Sequence, residues 1–252
     1  MNQEQPMVES PPVSSFMTRA TNVFTSPSEL FGEVASAPPQ TSSWLLPYIA
    51  SLLLAIVFTF ALYNNAALRQ QIYDMQTQGM QKAVEQGKMT QEQLDQIKDR
   101  MESSGPMMFM LIGAGSTVVI LTVIFFGVTL ILWLMTKFGL KFEGTYTKML
   151  EVYGLSSLIG FFGAIVALLL MNLLNSMHAT PSGSLLIMSS YDRNNFMHNL
   201  LTSLNVFTLW QVAVVGVGIA KLSNKSSGTG VGIVFGLWLV WVIVASALGW
   251  VR

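Results

Sequence analysis

The sequence predicts an all-α polytopic membrane protein. The expected architecture is a bundle of five transmembrane helices with an N-terminal amphipathic helix and an extramembrane helical hairpin between the first two spans. Three observations lead there. The 252 residues are 52% hydrophobic and only 10% charged, against roughly 25% charged in an ordinary soluble domain, so lipid must form part of the solvent. Apolar runs at residues 44–62, 107–135, 152–174, 200–220 and 229–250 reach the length of roughly 20 residues that a helix needs to cross about 30 Å of hydrocarbon. Amphipathic rings stand at the span edges, Trp44 and Tyr63 around the first and Trp250 at the last, as side chains that settle at headgroup level do. Helices rather than open strands follow because no water is available in the bilayer to satisfy backbone amides.

The chain divides in order. Residues 1–15 are polar, carry Pro6, Pro11 and Pro12, and hold too little apolar surface to offset the entropy of ordering, so a disordered tail is expected. No short apolar core with a small-residue cleavage site precedes the first span, so a cleaved signal peptide is not expected. Residues 16–43 form an amphipathic interfacial segment, in which Phe16, Val23, Phe24, Leu30, Phe31 and Val34 recur at helix-like intervals. Ser26 as N-cap, Pro27 at the first helical position and Glu29 three residues after the cap start a helix over 27–35, which Pro38 and Pro39 end. That helix either lies on the membrane face or packs under the bundle as a plug.

Residues 44–252 make the five-span domain, including a helical hairpin at 64–106. There 66–86 continue the first span beyond the lipid, Gly87 breaks the helix, and Thr90 with Gln93 caps a second helix to about 102. The second span, at 107–135, exceeds a perpendicular crossing, which permits tilt. In the short connections Lys137, Lys141 and Lys148 follow the second span and Lys221 and Lys225 the fourth, whereas Arg193 alone lies between the third and fourth. Basic residues in short loops favour the cytoplasm, so the N-terminus is placed inside.

Charge and composition exclude several functions. Thirteen Lys plus Arg balance thirteen Asp plus Glu, which argues against a nucleic-acid partner relying on phosphate neutralisation. The absence of cysteine rules out disulfides and thiolate metal sites. Met75, Met80, Met89, Met101, Met107, Met108 and Met110 lack the His or Cys support of a soft-metal site and read as gap fillers, so no cofactor or metal is expected. His178, His198 and Asp192 fall in one loop without a nucleophile elbow or a zinc-binding helix motif, and no enzyme is expected.

Polar residues in the spans are the candidate site. Glu151 stands at the entry to the third span, close to Lys148 and Tyr153, where it can snorkel to water. Asn172 in the third span and Asn205 and Gln211 in the fourth are uncharged amides of the kind that hydrogen-bond across helices. Gly228, Gly232 and Gly236 recur every four residues and are expected to bring a neighbouring helix close.

The blocks Phe16-Met17-Thr18-Arg19, Asn22-Val23-Phe24, Ser26-Pro27-Ser28-Glu29-Leu30-Phe31-Gly32-Glu33-Val34 and Ser43-Trp44-Leu45-Leu46-Pro47 resemble the entry of bacterial members of the Yip family of five-span membrane proteins. That family is named for Ypt/Rab-interacting proteins of eukaryotic secretory membranes. Gly144-Thr145-Tyr146-Thr147-Lys148 with Val152-Tyr153-Gly154-Leu155, and the run from Leu204 through Trp210 to Lys221, resemble its third and fourth spans. The resemblance covers roughly 16–250 and implies an N-cytoplasmic five-helix bundle of a bacterial inner membrane without a catalytic centre. The eukaryotic Asp-Leu-Tyr-Gly-Pro block is matched only in part by Glu151-Val152-Tyr153-Gly154-Leu155. The topology therefore carries over, and small-GTPase binding does not.

Two functions follow as expectations. The first is a non-enzymatic bundle that organises the membrane or partner proteins, its partners being the lipid bilayer and other membrane proteins or itself. The second is a transporter or channel for a small solute, with Glu151, Tyr153, Asn172, Asn205 and Gln211 lining a path.

Overall fold

The computed structural model describes residues 13–103 and 105–248, and of residues 101–106 no side chain. The expected disordered tail falls mostly on residues 1–12, and Trp250 on the last four; both lie outside the described residues. Ten α-helices follow one another among the described residues: α1 (Phe16–Thr25), α2 (Pro27–Ser36), α3 (Ser42–Asn64), α4 (Ala66–Glu85), α5 (Gln91–Ser103), α6 (Gly105–Gly139), α7 (Tyr146–Leu174), α8 (Phe196–Ser203), α9 (Val206–Leu222) and α10 (Ser227–Ala247). Among the described residues there is no strand, and the one extended pairing is an isolated bridge between Ser182 and Asn205.

Helices α3, α6, α7 and α10 are long and apolar enough to cross a membrane, and α9 is a shorter apolar helix of 17 residues. The fourth span thus begins later than the apolar run from residue 200 suggests. Asn205 adopts an extended conformation and its side chain accepts from the backbone N–H of Phe207 and Thr208. It is therefore the N-cap of α9, which splits the apolar run into α8 and α9. At 1.5 Å per residue α9 is about 26 Å long, a few ångströms short of the hydrocarbon core of about 30 Å.

The helical hairpin at 64–106 is present, with one refinement. Thr90 and Gln93 exchange backbone-to-side-chain bonds at 2.9 and 3.2 Å, a reciprocal capping box, and Gly87 takes a left-handed φ of 68° that favours glycine. However, α4 does not continue α3. Asn65 is extended and caps α4 by accepting from Ala67 and Leu68 N–H, so the chain turns at the end of the first span.

The N-terminal arm packs under the bundle. Val23 of α1 and Leu30, Phe31 and Val34 of α2 are buried in one cluster with Met149, Val152, Leu155 and Ile159 of α7 and Val214, Val215 and Ile219 of α9. Of the two sequence readings, the plug describes this arrangement. Ser26 precedes Pro27 as expected, although its hydroxyl makes no cap; its carbonyl accepts from Glu29 and Leu30 N–H.

The arm, Lys148 and the α9–α10 turn gather at one end of the bundle, since α2 packs against α7 and α9. At the opposite end the hairpin meets the loop that follows α7. Gln71 donates to the Asn175 carbonyl at 2.8 Å, Lys82 to Asn194 at 3.1 Å, and Asn65 to Asn175 at 2.9 Å. Helices α3, α6, α7, α9 and α10 alternate between these two ends.

Close helix approaches are made by glycines other than the expected triplet. A Cβ on Gly154 would meet the backbone of Trp44 in α3, one on Gly216 the backbone of Val231 in α10, one on Gly230 the Gly216 carbonyl, and one on Gly163 the Phe207 ring. Gly232 and Gly236 have nothing within 4 Å, and Gly228 only the Ser226 hydroxyl. Four-residue spacing placed these three on one face, but that face turns outward in this chain and Gly230 on the opposite side takes the packing role. Gly154→Leu should therefore lower stability by the cost of overpacking, about 1–3 kcal/mol, read as a lower thermal midpoint in detergent, while Gly232→Leu leaves the midpoint in place.

Candidate functional site

The polar residues that α1, α2, α3 and α7 bring together form a buried charged cluster at the arm end. Residue Glu151 lies in the second turn of α7, where Val152, Leu155 and Ile159 already face the core, and it is only 1% exposed. Lys148, one turn earlier on the same face, sets its Nζ 3.0 Å from Glu151 Oε1, an ion pair whose geometry is not that of a hydrogen bond. The same ammonium donates to the Val34 carbonyl near the end of α2 at 2.6 Å, which ties the arm to the third span.

Arg19 enters from α1 and is 4% exposed. Its guanidinium donates to the Ser43 hydroxyl and, at 3.3 Å, to Ser42, both at the start of α3. The Ser43 hydroxyl and the Gln40 backbone N–H lie against the Glu151 carboxylate. The result is a chain of contacts, Arg19 to Ser43 to Glu151 to Lys148 to the Val34 carbonyl, that links four helices around one carboxylate flanked by two cations. Glu151 does not snorkel to water as the sequence suggested, because α1 and α2 cover it. Arg19 was not singled out from the sequence. The available signal was its spacing, one turn before Val23 on the apolar face of α1.

This arrangement is a latch rather than a reaction centre. Lys148 pairs with Glu151 and Arg19 reaches the carboxylate through Ser43, while Arg19 Nε makes no hydrogen bond among the described residues; buried charges need such partners because desolvation otherwise costs several kcal/mol per ion.

The other candidate residues are distributed along the bundle. Tyr153 leaves the latch and lines a cavity of about 430 Å³ between α3, α6 and α7, its ring edge-on to Phe125 at 5.2 Å. Asn172 lies 21 residues beyond Glu151, about 32 Å along the helix, where its amide donates to the Leu168 carbonyl and it accepts from Asn65 at 3.5 Å. Asn205 is the cap of α9. The Gln211 side chain lies against Gly160 of α7. Tyr153 is thus close to Glu151 in sequence, while Asn172 and Asn205 belong to the opposite end.

At that opposite end a second cavity of about 430 Å³ lies between α4 and the loop after α7, with Asp74, Lys82, His178, Tyr191 and Asp192 among its walls. His178 stacks on Tyr191 with centroids 4.1 Å apart, and His198 Nδ1 accepts from the Asp192 N–H at 2.9 Å. Among the described residues no cluster of three His, Cys, Asp or Glu is placed to hold a metal ion.

Two outcomes test this geometry. Glu151→Ala leaves Lys148 and Arg19 without their anion and should cost about 3–5 kcal/mol, seen as protease cleavage of the freed arm, while the paired change Lys148→Met with Glu151→Leu restores much of the loss; an arm equally resistant in Glu151→Ala would refute the latch. Burial holds the His178 imidazole below its ordinary pKa. As pH falls through about 6.5, the unperturbed histidine value, the unfolded loop takes up a proton before the folded one does. Stability is therefore present above that pH and lost on acidification. Hydrogen exchange across residues 175–205 should quicken below about pH 6, and His178→Gln should flatten that response.

The sequence model of the family described as the Yip1 domain matches residues 21–251, from the middle of α1 through the last helix, and bears out the resemblance carried by the span-edge blocks. No curated protein and no solved structure matches the chain.

Proposed function

The chain belongs to the Yip1 domain family, and we propose that it is a non-enzymatic organiser, a bundle that holds a fixed N-terminal arm against the cytoplasmic side of a bacterial inner membrane for other membrane proteins, or copies of itself, to engage. The observation that carries this reading is the latch. A segment held in one pose presents a docking platform without an ordering cost on binding, and Arg19, Lys148 and Glu151 hold α1 and α2 to two spans, α3 and α7. Both helices of the arm keep exposed side chains, Met17 of α1 at 72% exposure and Glu29 of α2.

The cytoplasmic placement rests on the basic residues at the arm end. Arg19, Lys137, Lys141, Lys148, Lys221 and Lys225 all lie at or beside that end, the distribution favoured on the inner side. The Lys137 ammonium stands 4.6 Å over the Trp133 ring, an interfacial cation–aromatic pair that suits headgroup depth.

A transport path through the bundle has weaker support. It requires polar groups along one continuous lumen, and here Glu151 is paired with Lys148, Asn205 caps a helix, and Asn172 bonds to its own helix.

The chain has no cysteine, so single introduced thiols report cleanly. Met17→Cys in native membranes should form one reproducible crosslink, to another membrane protein or to a second copy, and adding Glu151→Ala should scatter or abolish it. Recovery of monomer alone from Met17→Cys would remove the basis for the organiser reading.

A further inference from the structure

The cavity between α3, α6 and α7 lies within the membrane-crossing part of three spans, and its chemistry is uneven. It is walled mainly by apolar side chains, among them Phe58, Leu121 and Phe161. The hydroxyls that reach it from Ser and Thr are already occupied by carbonyls of their own helices. Ser51 donates to Pro47 at 2.8 Å, Thr59 to Ala55 at 2.9 Å, Thr117 to Gly113 at 2.8 Å and Ser157 to Gly154 at 2.7 Å. The Tyr153 hydroxyl is the exception. Tyr153 lines the same cavity, and its hydroxyl makes no hydrogen bond among the described residues.

Size, position and opening narrow the occupant. The walls run from Ser51 to Leu62 on α3 and from Tyr153 to Ala164 on α7, 12 residues in each case and so about 16 Å between their ends, roughly half the hydrocarbon thickness of about 30 Å. A volume of about 430 Å³ falls within the range of small-molecule sites. Ile124, 52% exposed, stands at the rim, so the slot opens sideways to lipid rather than to water. Tyr153 is seven residues inside the N-terminus of α7, about 10 Å along the axis. The bilayer with its headgroups exceeds its hydrocarbon core by about 5–7 Å on each side. With the α7 N-terminus taken at the outer headgroup surface, Tyr153 falls a few ångströms inside the boundary between headgroups and hydrocarbon, near the ester carbonyls of a glycerolipid.

We propose that this slot holds one acyl chain of a glycerolipid from the arm-side leaflet, with the lipid's ester carbonyl accepting a hydrogen bond from the Tyr153 hydroxyl. The chain fills a volume whose apolar walls give water few partners, and the carbonyl satisfies the one lining hydroxyl that has no partner among the described residues. This site is separate from the latch and from partner docking, and it does not depend on the organiser reading.

The test uses the full chain, delipidated in detergent and titrated in parallel with dioleoyl phosphatidylglycerol and with its diether analogue, which has the same chains and headgroup and no carbonyl. Native mass spectrometry counts retained lipid. The wild type should hold one ester lipid about 3- to 10-fold more tightly than the ether, the range one net hydrogen bond supplies. Tyr153→Phe should erase that preference, and Ala164→Phe, which fills the slot, should abolish retention of both lipids. Leu121→Trp fills it from α6, so a folding failure in one variant leaves the test intact; circular dichroism and gel filtration confirm the fold of each. Equal retention of ester and ether by the wild type, or undiminished retention in both filled variants, would overturn the proposal.

Discussion

The structure depends on one constraint, that polar groups inside a bilayer must find their partners within the protein. The backbone meets it by forming helices. The side chains meet it in the same way, because Ser51, Thr59, Thr117, Thr122, Thr129, Thr136 and Ser157 all return their hydroxyl protons to a carbonyl one turn earlier. The spans are left neutral outside, and they approach through glycines, Gly154 of α7 against α3 and Gly216 against Gly230, with a few interhelical polar bonds such as Tyr48 to Thr122 and Tyr146 to the Phe126 carbonyl. Close packing of this kind suits helices that gain nothing from hydrophobic transfer when they leave lipid for one another.

The exception to neutrality explains the arm. A carboxylate at position 151 and a lysine at 148 occupy the core-facing side of α7, and both are buried. Helices α1 and α2 supply what the bundle lacks: the Val34 carbonyl for the ammonium, and Arg19 acting through Ser43 for the carboxylate. The apolar side chains of the same two helices, Val23, Leu30, Phe31 and Val34, close over the cluster and exclude solvent. Charge pairing and burial thus reinforce each other, since the cover makes the ion pair dry and the ion pair fixes the cover.

Much of the fold was legible because it follows from length and local chemistry. The long spans of 21 to 35 residues announce themselves by hydropathy, and the hairpin by Gly87 and the Thr90–Gln93 box. The division of the apolar run at residue 200 was not legible, because Asn205 reads as an intramembrane amide until its side chain is seen bonding to its own backbone. The choice between a plug and a surface helix for 27–35 was also closed to sequence, since one apolar face suits both lipid and protein. Of the candidate site, Glu151 and its neighbour Lys148 were evident and Arg19 was not, because a single arginine on a polar arm carries no local sign that a serine 24 residues later will meet it. The glycine triplet misled for a related reason. Periodicity gives a face without saying which way that face turns.

The unequal lengths of the spans have a consequence for the membrane itself. Helix α6 runs for 35 residues, about 52 Å, and α9 for 17, about 26 Å. A bilayer cannot match both at once. Lipids bordering α9 are drawn thinner and those bordering α6 are left near full thickness or met by a tilted helix, so the protein sits at a lateral gradient of hydrophobic thickness of its own making. Such a gradient favours shorter-chained lipids on the flank that α9 borders and longer-chained ones along α6.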